Sequence, residues 1–316
     1  MSLIYSNIPE LEGTDTEITL ANLSRLECEL ERLFEKRIAH LCELASAIVR
    51  DGGDIDLIKS IILSIRSDGE IDTDRISSDN TKEIVDLFSK ISLIERLIVF
   101  KEIFGSIAPE TLGASEDHID ITSDAKNRIA YVKNSYNDTV FGHFASLLDD
   151  AKALYPESTI EVCESVLVGK AQYCILPVET MRDGRLISFY EAIINYDLKI
   201  CAEYDLINSD GTGYTRYTLL GSDTNYAIRS KRSKDAKKYL EITYSEDNAS
   251  ICELINAAEY LGLYIESVDT LVMNDVGEKK RICIVFTGTE AAIDSFAVYL
   301  NVDYPDILII GKYQRL

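Results

Sequence analysis

ILPVETMRDGRL, Ile175 to Leu186, is the stretch on which the reading of the fold turns. An apolar run meets Pro177, then the Glu179 carboxylate, the Thr180 hydroxyl and Gly184, which is how a buried strand ends in a polar corner. QYCILPV therefore reads as a buried strand, and the question is whether its corner does chemistry or only binds. Outward from it, RIAYV, STIEVCES and LKICAEYDLI read as strands, and VFGHFASLLDDAKALY and SFYEAIINY as helices. Strands and helices in alternation predict an α/β layer structure from about Asn127 onward. Beyond a basic run, RSKRSKDAKK (Arg229 to Lys238), the pattern is YLEITYS, ASICELINAAEYLG, LYIESVDTLVMN, RICIVFTG, TEAAIDSFAVYL and ILIIGKY. That is strand, helix, strand, strand, helix, strand, the order of a ferredoxin-like unit.

Before Asn127 the periodicity is helical. Leu23, Leu26, Leu30, Leu33, Leu41, Leu44 and Ile48 recur at spacings of three and four, and DGGD (Asp51 to Asp54) ends that helix. A shorter helix to about Arg66 and a loop, SDGEIDTDRISSDN, follow. A third helix starts at a cap on Ser78 or Asp79 and runs to Phe104, with Ile84, Phe88, Ile91 and Ile98 on one face. Arg37 and Glu95 each interrupt an apolar stripe on helices that should pack together. An ion pair between them accounts for both residues without any ligand. Gly105 to Asp124 has no periodicity and marks a boundary.

Composition narrows the function. A net charge of −22 works against nucleic acid, because phosphate binding requires clustered Lys and Arg. The basic run reads as a solvated connection. No apolar run approaches the roughly 18 residues of a membrane span, and MSLIYSNIPELEGTD carries no secretory pattern, so a soluble, cytoplasmic protein is expected. The seven cysteines are scattered without a CxxC pair and read as buried thiols, with no metal site or disulfide framework. No cofactor is expected.

The last two blocks resemble the prephenate dehydratases that carry a C-terminal ACT regulatory domain. The family's Pro-Ile-Glu-Asn-Ser motif followed by Gly corresponds to Pro177, Val178, Glu179, Thr180, Met181 and Gly184, and its Thr-Arg-Phe motif to Thr215, Arg216 and Tyr217. The effector box of the ACT domain aligns with Ala249, Ser250 and Ile251, and its Glu-Ser pair with Asp269 and Thr270. The N-terminal helices are similar in layout to the chorismate mutase domain fused to such enzymes, with LECELERLFEKR matching its first helix and Arg37 its arginine. The resemblance implies three parts. Residues 1–108 form a three-helix chorismate-mutase-like domain, 125–228 a single periplasmic-binding-protein-like α/β lobe, and 238–316 a ferredoxin-like ACT domain. It also implies catalytic roles for Thr215, Glu179 and Arg37, substrate contacts from Thr180, Arg216 and Glu95, and an effector site at Ala249, Ser250, Ile251, Asp269 and Thr270.

Departures from the family decide the expected activity. Asn208 to Tyr214 leaves room for a turn where the family inserts its second lobe, and the Gly-Thr-Phe-Ser stretch is replaced by KNSYNDTVFGH. The motif's amide and hydroxyl have become Thr180 and Met181. Prephenate is a dicarboxylate whose dehydration needs held anions and a delivered proton, and half a cleft neither excludes water nor fixes that geometry. For the mutase reaction, the family's first-helix arginine aligns with Leu20 and its later lysine falls near Ile48, with only Arg50 nearby.

The expectation is a noncatalytic or regulatory homologue in phenylalanine biosynthesis that binds chorismate, prephenate or an aromatic amino acid and dimerises through its ACT domain. Two alternatives stand beside it: an active mutase or dehydratase with a rearranged or intersubunit site, and a scaffold that pairs with an active enzyme. Residue by residue there is also a purely structural account. Glu179 bonds backbone amides at the strand end, Thr215 is an ordinary strand residue, His143 caps or packs on its helix, and Asp269 with Thr270 closes a turn.

Overall fold

The computed structural model describes residues 14–50, 91, 93–101, 125–207, 211, 213–222, 237–246, 249–272 and 280–316. The expected helix toward Arg66, the loop 67–80, the start of the third helix, the boundary at 105–124 and residues 229–236 of the basic run lie outside these residues. The chain divides into two compact units, Met1–Ile107 and Ala108–Leu316. No described helix is long and apolar enough to cross a membrane.

In the first unit, α1 runs unbroken from Thr14 to Arg50. It contains no Gly or Pro and is rich in Leu, Glu, Arg and Ala, residues that lose little in a helix. A second helical stretch, α2, covers residues 93–101 and buries Leu93, Leu97, Val99 and Phe100. The leucine stripe of α1 does not face a core as its periodicity suggests. Leu23, Leu26, Leu30 and Leu33 are 50%, 51%, 66% and 63% exposed, whereas the side that turns inward carries Phe34, Ile38 and the fully buried Ala45. The helix has two apolar sides, and the more regular one is the outer one.

The second unit is built on one ten-stranded sheet. In chain order its elements are β1 (Arg128–Ala130), α3 (Ser135–Ala145), β2 (Lys152–Leu154), α4 (Thr159–Leu167), β3 (Tyr173–Thr180), β4 (Gly184–Arg185), α5 (Ile187–Tyr196), β5 (Lys199–Ile207) and β6 (Tyr214–Gly221). Then come β7 (Lys238–Ser245), α6 (Ile251–Tyr260), β8 (Tyr264–Val272), β9 (Lys280–Gly288), α7 (Glu290–Asp303) and β10 (Leu308–Arg315). The strand order is β2-β1-β3-β6-β5-β10-β7-β9-β8, with β4 added beside β3. The first three strands are parallel, joined by α3 and α4 as crossovers need. β3, β6 and β5 are antiparallel, and so are β10, β7, β9 and β8. β10 pairs in parallel with β5, so the segments on either side of the basic run, which the sequence separates, join in a single sheet.

Two elements differ from the sequence reading. STIEVCES is helix α4, not a strand: the Ser158 hydroxyl accepts a bond from the Glu161 N–H at 3.2 Å, and the Glu161 carboxylate accepts from the Glu157 N–H at 3.1 Å. Ser-x-x-Glu is a helix-start signal that outweighed the β-branched residues after it. The long helix expected to reach Tyr155 stops at Ala145, and Lys152–Leu154 forms β2 beside β1. Two of the cysteines expected to be buried, Cys28 and Cys252, are exposed.

Alternation along β3 feeds a core on each face of the sheet. Tyr173 and Ile175 pack with Val140 and Phe144 of α3, while Cys174, Leu176 and Val178 pack with Val162, Phe189 and Ile193. That second core also holds Tyr239, Leu271, Val285 and Tyr313 from the far half of the sheet. Six strand steps separate β3 from β8, about 29 Å in a flat sheet. The Arg185 side chain on β4 nevertheless bonds Ser267 on β8, so the sheet must curl until its far edge returns toward β4.

The join between β5 and β10 depends on Gly311. A Cβ there would lie 2.6 Å from the Ile200 carbonyl oxygen and 2.7 Å from the Ile200 Cβ. Gly311→Ala should therefore cost about 1–3 kcal/mol, read as a lower denaturant midpoint of the whole chain, because the clash is with backbone that cannot rotate away.

Candidate binding site

Where the curled sheet approaches itself there is a cleft of about 250 Å³, lined by Glu179, Gly184, Arg185, Arg216, Glu266, Ser267, Asp269 and Arg315. Strand register sets its charges. Arg216 on β6 stands opposite Glu179 on β3 and opposite Asp205 on β5, so three charged side chains form a row on one face. Arg216 donates to Glu179 at 2.8 Å and grips Asp205 with two bonds, at 2.7 and 3.1 Å. The Tyr214 hydroxyl donates to the other Glu179 oxygen at 2.5 Å. One row along, Arg315 on β10 faces Glu203 on β5 and donates to it at 3.0 Å. Arg315 also lies 3.6 Å from Glu266, which accepts from Lys237 at 2.7 Å.

Behind the cleft is a buried polar centre. Glu241, in the middle of β7 and fully buried, accepts bonds from Arg185, from the Tyr190 hydroxyl at 2.6 Å and from the Tyr313 hydroxyl at 2.9 Å. Arg185 also donates to the Tyr190 oxygen and to Ser267 at 3.1 Å, and pairs with Asp269 at 2.7 Å. Burial alone would lower the Arg185 pKa, but Glu241, Tyr190, Tyr313 and Asp269 together outweigh it and hold the guanidinium charged. Burial and Glu241 push the Tyr190 phenol well up, so it remains a donor. Glu203 is different: burial, reinforced by Glu241, raises its carboxyl to about 7 against the pull of Arg315 and Arg216.

Of the residues singled out in the sequence, the structure brings Glu179, Arg216 and Asp269 together in this cleft, although they come from both predicted domains. Thr215 and Thr180 face each other across β6 and β3, one position from Arg216 and Glu179 and so on the opposite face. The Thr180 hydroxyl bonds Asp183 and its backbone N–H, closing the turn into β4. Ala249, Ser250 and Ile251 lie at the start of α6 and do not line the cleft; Thr270 is exposed. His143 stacks on the Tyr204 ring, centroids 4.0 Å apart. In the first unit Arg37 pairs with Glu95, whose side chain is 1% exposed while that of Arg37 is 57% exposed. This ion pair is thus open on one side.

Glu241, Arg185, Arg315 and Glu203 are functional candidates that pattern reading passed over. A signal existed for the acids: YLEITYS and KICAEYD each place a carboxylate inside a strand too apolar to be solvated, which requires a buried cation. A literal Glu-Ser pair, Glu266 and Ser267, also stands on β8 and lines the cleft three residues before the pair chosen from the alignment.

Two outcomes test this network. Glu241→Leu should cost about 3–5 kcal/mol by stranding the Arg185 charge, and adding Arg185→Leu should recover much of it, as read by chemical denaturation in a double-mutant cycle. For Glu203, the folded state holds a proton that the unfolded chain releases near its ordinary pKa of 4.5. Stability therefore falls as pH rises from about 4.5 to about 7, by on the order of 3 kcal/mol, and is level above that. Glu203→Gln should remove this slope, gaining on the parent protein between about pH 5 and about pH 8.

No family model matches the chain, and no curated protein matches it. Among solved structures it is similar to prephenate dehydratase from Streptococcus mutans, at 19% identity, 60% coverage of this chain and 98% of that one, with a TM-score of 0.48. It is similar to GqqA, a novel type of quorum quenching acylase, at 13% identity, 60% and 95% coverage and a TM-score of 0.44. A third is the prephenate dehydratase from Arthrobacter aurescens in complex with L-Phe, at 12% identity, 60% and 90% coverage and a TM-score of 0.45.

Proposed function

We propose that this protein is a noncatalytic, ligand-binding relative of the bifunctional chorismate mutase/prephenate dehydratases, acting in aromatic amino-acid metabolism. The observation that carries the reading is the saturation of the cleft. Arg185, Arg216 and Arg315 each already meet carboxylates of the sheet itself. A dicarboxylate such as prephenate would have to displace those partners and leave buried acids without cations, at a cost its own two charges only exchange. The motif threonine, Thr215, to which the resemblance assigns a catalytic role, lies on the face of β6 opposite Arg216 and does not line the cleft. Arg37, which the mutase reaction would turn toward a substrate carboxylate, is held by Glu95.

A zwitterion suits the cleft better than a dianion. An amino acid brings an ammonium for Glu179 or Asp269 and a carboxylate for Arg216, so each displaced ion pair is replaced and the charge count is unchanged. A volume of about 250 Å³ is at the small end for a ligand site, which fits a single amino acid.

The purified chain should form no phenylpyruvate from prephenate. In a thermal-shift panel of chorismate, prephenate, phenylalanine, tyrosine and tryptophan, an aromatic amino acid should raise the unfolding temperature, and Arg216→Leu should abolish that rise. Phenylpyruvate production that scales with protein and disappears in Thr215→Ala would refute the noncatalytic reading.

A further inference from the structure

Tyr244 is a buried side chain whose hydroxyl has nothing to bond. It stands one residue before the end of β7 and is 0% exposed. Glu241 and Thr243 share one face of that strand, so alternation turns Leu240, Ile242 and Tyr244 to the other. The phenol oxygen is sealed from solvent and makes no hydrogen bond, although a buried phenol ordinarily finds a partner. Its neighbour is Cys252. Burial pushes the Tyr244 phenol up to about 12, and the Cys252 sulfur adds to the effect. At neutral pH the phenol therefore keeps its proton and remains an unused donor.

The Cys252 sulfur is exposed and sits at a helix start. It belongs to the second residue of α6, so its own N–H and those of Ile251 and Glu253 precede the first helix bond, which runs from the Leu254 N–H to the Ser250 carbonyl at 3.1 Å. The Ser250 side chain does not cap them. Backbone donors and a phenol donor thus stand at one sulfur, and a thiol is too weak an acceptor to satisfy them. An oxygen carried on that sulfur is the acceptor this arrangement lacks.

We infer that Cys252 is a modification site, oxidised by hydrogen peroxide to a sulfenic acid whose oxygen accepts from the Tyr244 hydroxyl and the first turn of α6. In the step the sulfur attacks one peroxide oxygen, and an S–O bond forms as the O–O bond breaks. Sulfur is oxidised by two electrons, and the departing hydroxide takes the thiol proton and leaves as water. Tyr244 donates to the oxygen on which charge develops during this exchange, and the helix start favours the same charge. Cys28 is exposed too but lies well inside α1, where backbone N–H groups are spent on helix bonds. Cys163, Cys174, Cys201 and Cys283 are buried.

The full chain carries its own control for the test. Treated with hydrogen peroxide, trapped with dimedone and digested for mass spectrometry, the parent protein should give the sulfenic acid adduct at Cys252 about tenfold faster than at Cys28. Tyr244→Phe keeps the ring and removes the donor, and should slow Cys252 about fivefold while leaving Cys28 unchanged. Alkylation of Cys252 by N-ethylmaleimide should be the same in that variant, which separates a lost donor from altered access. Ser250→Asp, whose carboxylate takes the first-turn N–H groups, should slow oxidation about threefold with Tyr244 in place, so the inference stays open to refutation if the Phe variant does not fold. No adduct at Cys252, or equal rates at Cys252 and Cys28, overturns the inference. A folded Tyr244→Phe protein that oxidises at the parent rate overturns the role of the phenol, and an unslowed Ser250→Asp protein overturns that of the helix start.

Discussion

A carboxylate sealed inside a sheet governs the second unit. Glu241 is fully buried, so its carboxylate is tolerable only while Arg185, Tyr190 and Tyr313 point their donors at it. Those three side chains come from β4, from α5 directly after it, and from β10 near residue 315, on the other side of β6 and β5 in the sheet. Meeting the needs of one buried acid therefore fixes how far the sheet curls, where α5 lies against it, and how close β8 returns to β4. Hydrophobic area would favour many such arrangements; a charge with fixed partner directions favours one.

The cleft is a consequence of the same closure. Once Arg185 reaches Ser267 and Asp269, the ends of β3 and β10 and the first halves of β6 and β8 face a common space, and their register places cations and acids across from each other. Arg216 between Glu179 and Asp205, and Arg315 beside Glu203, are cross-strand pairs before they are anything else. That is why the surface has many polar groups yet no idle arginine among those lining it. The proposed function rests on this pairing: a surface of matched ion pairs suits a ligand of mixed charge better than a dianion.

Much of this was legible in the chain. The strand at Tyr173, the helix after Leu186 and the strand-helix-strand-strand-helix-strand order after Lys238 follow from periodicity that packing did not override. Two kinds of information were not local. Ser158 and Glu161 start a helix in a run whose β-branched residues spell a strand, so capping chemistry has to be weighed against propensity. Strand neighbours far apart in sequence are invisible to a period: nothing in ILIIGKY says that β10 lies beside β5, and only that pairing puts Arg315 next to Glu203. Glu179, Arg216 and Asp269 could be named as candidates from motifs, but not as members of one site, because their meeting depends on the curl.

The two units illustrate opposite fates for a polar residue in an apolar pattern. In β7 the misfit acid is internal, and satisfying it draws in Arg185, Tyr190 and Tyr313, while burial nearby raises the Glu203 carboxyl to about 7. In α1 the misfit arginine sits on an outer row, reaches Glu95 with its head and leaves its stem on the surface beside exposed leucines. The first charge is satisfied inside a core, the second at the surface of a helix. Reading which of the two applies requires knowing the second apolar side of the helix, carried by Phe34, Ile38 and Ala45, and that side is less regular than the leucine row that draws the eye first.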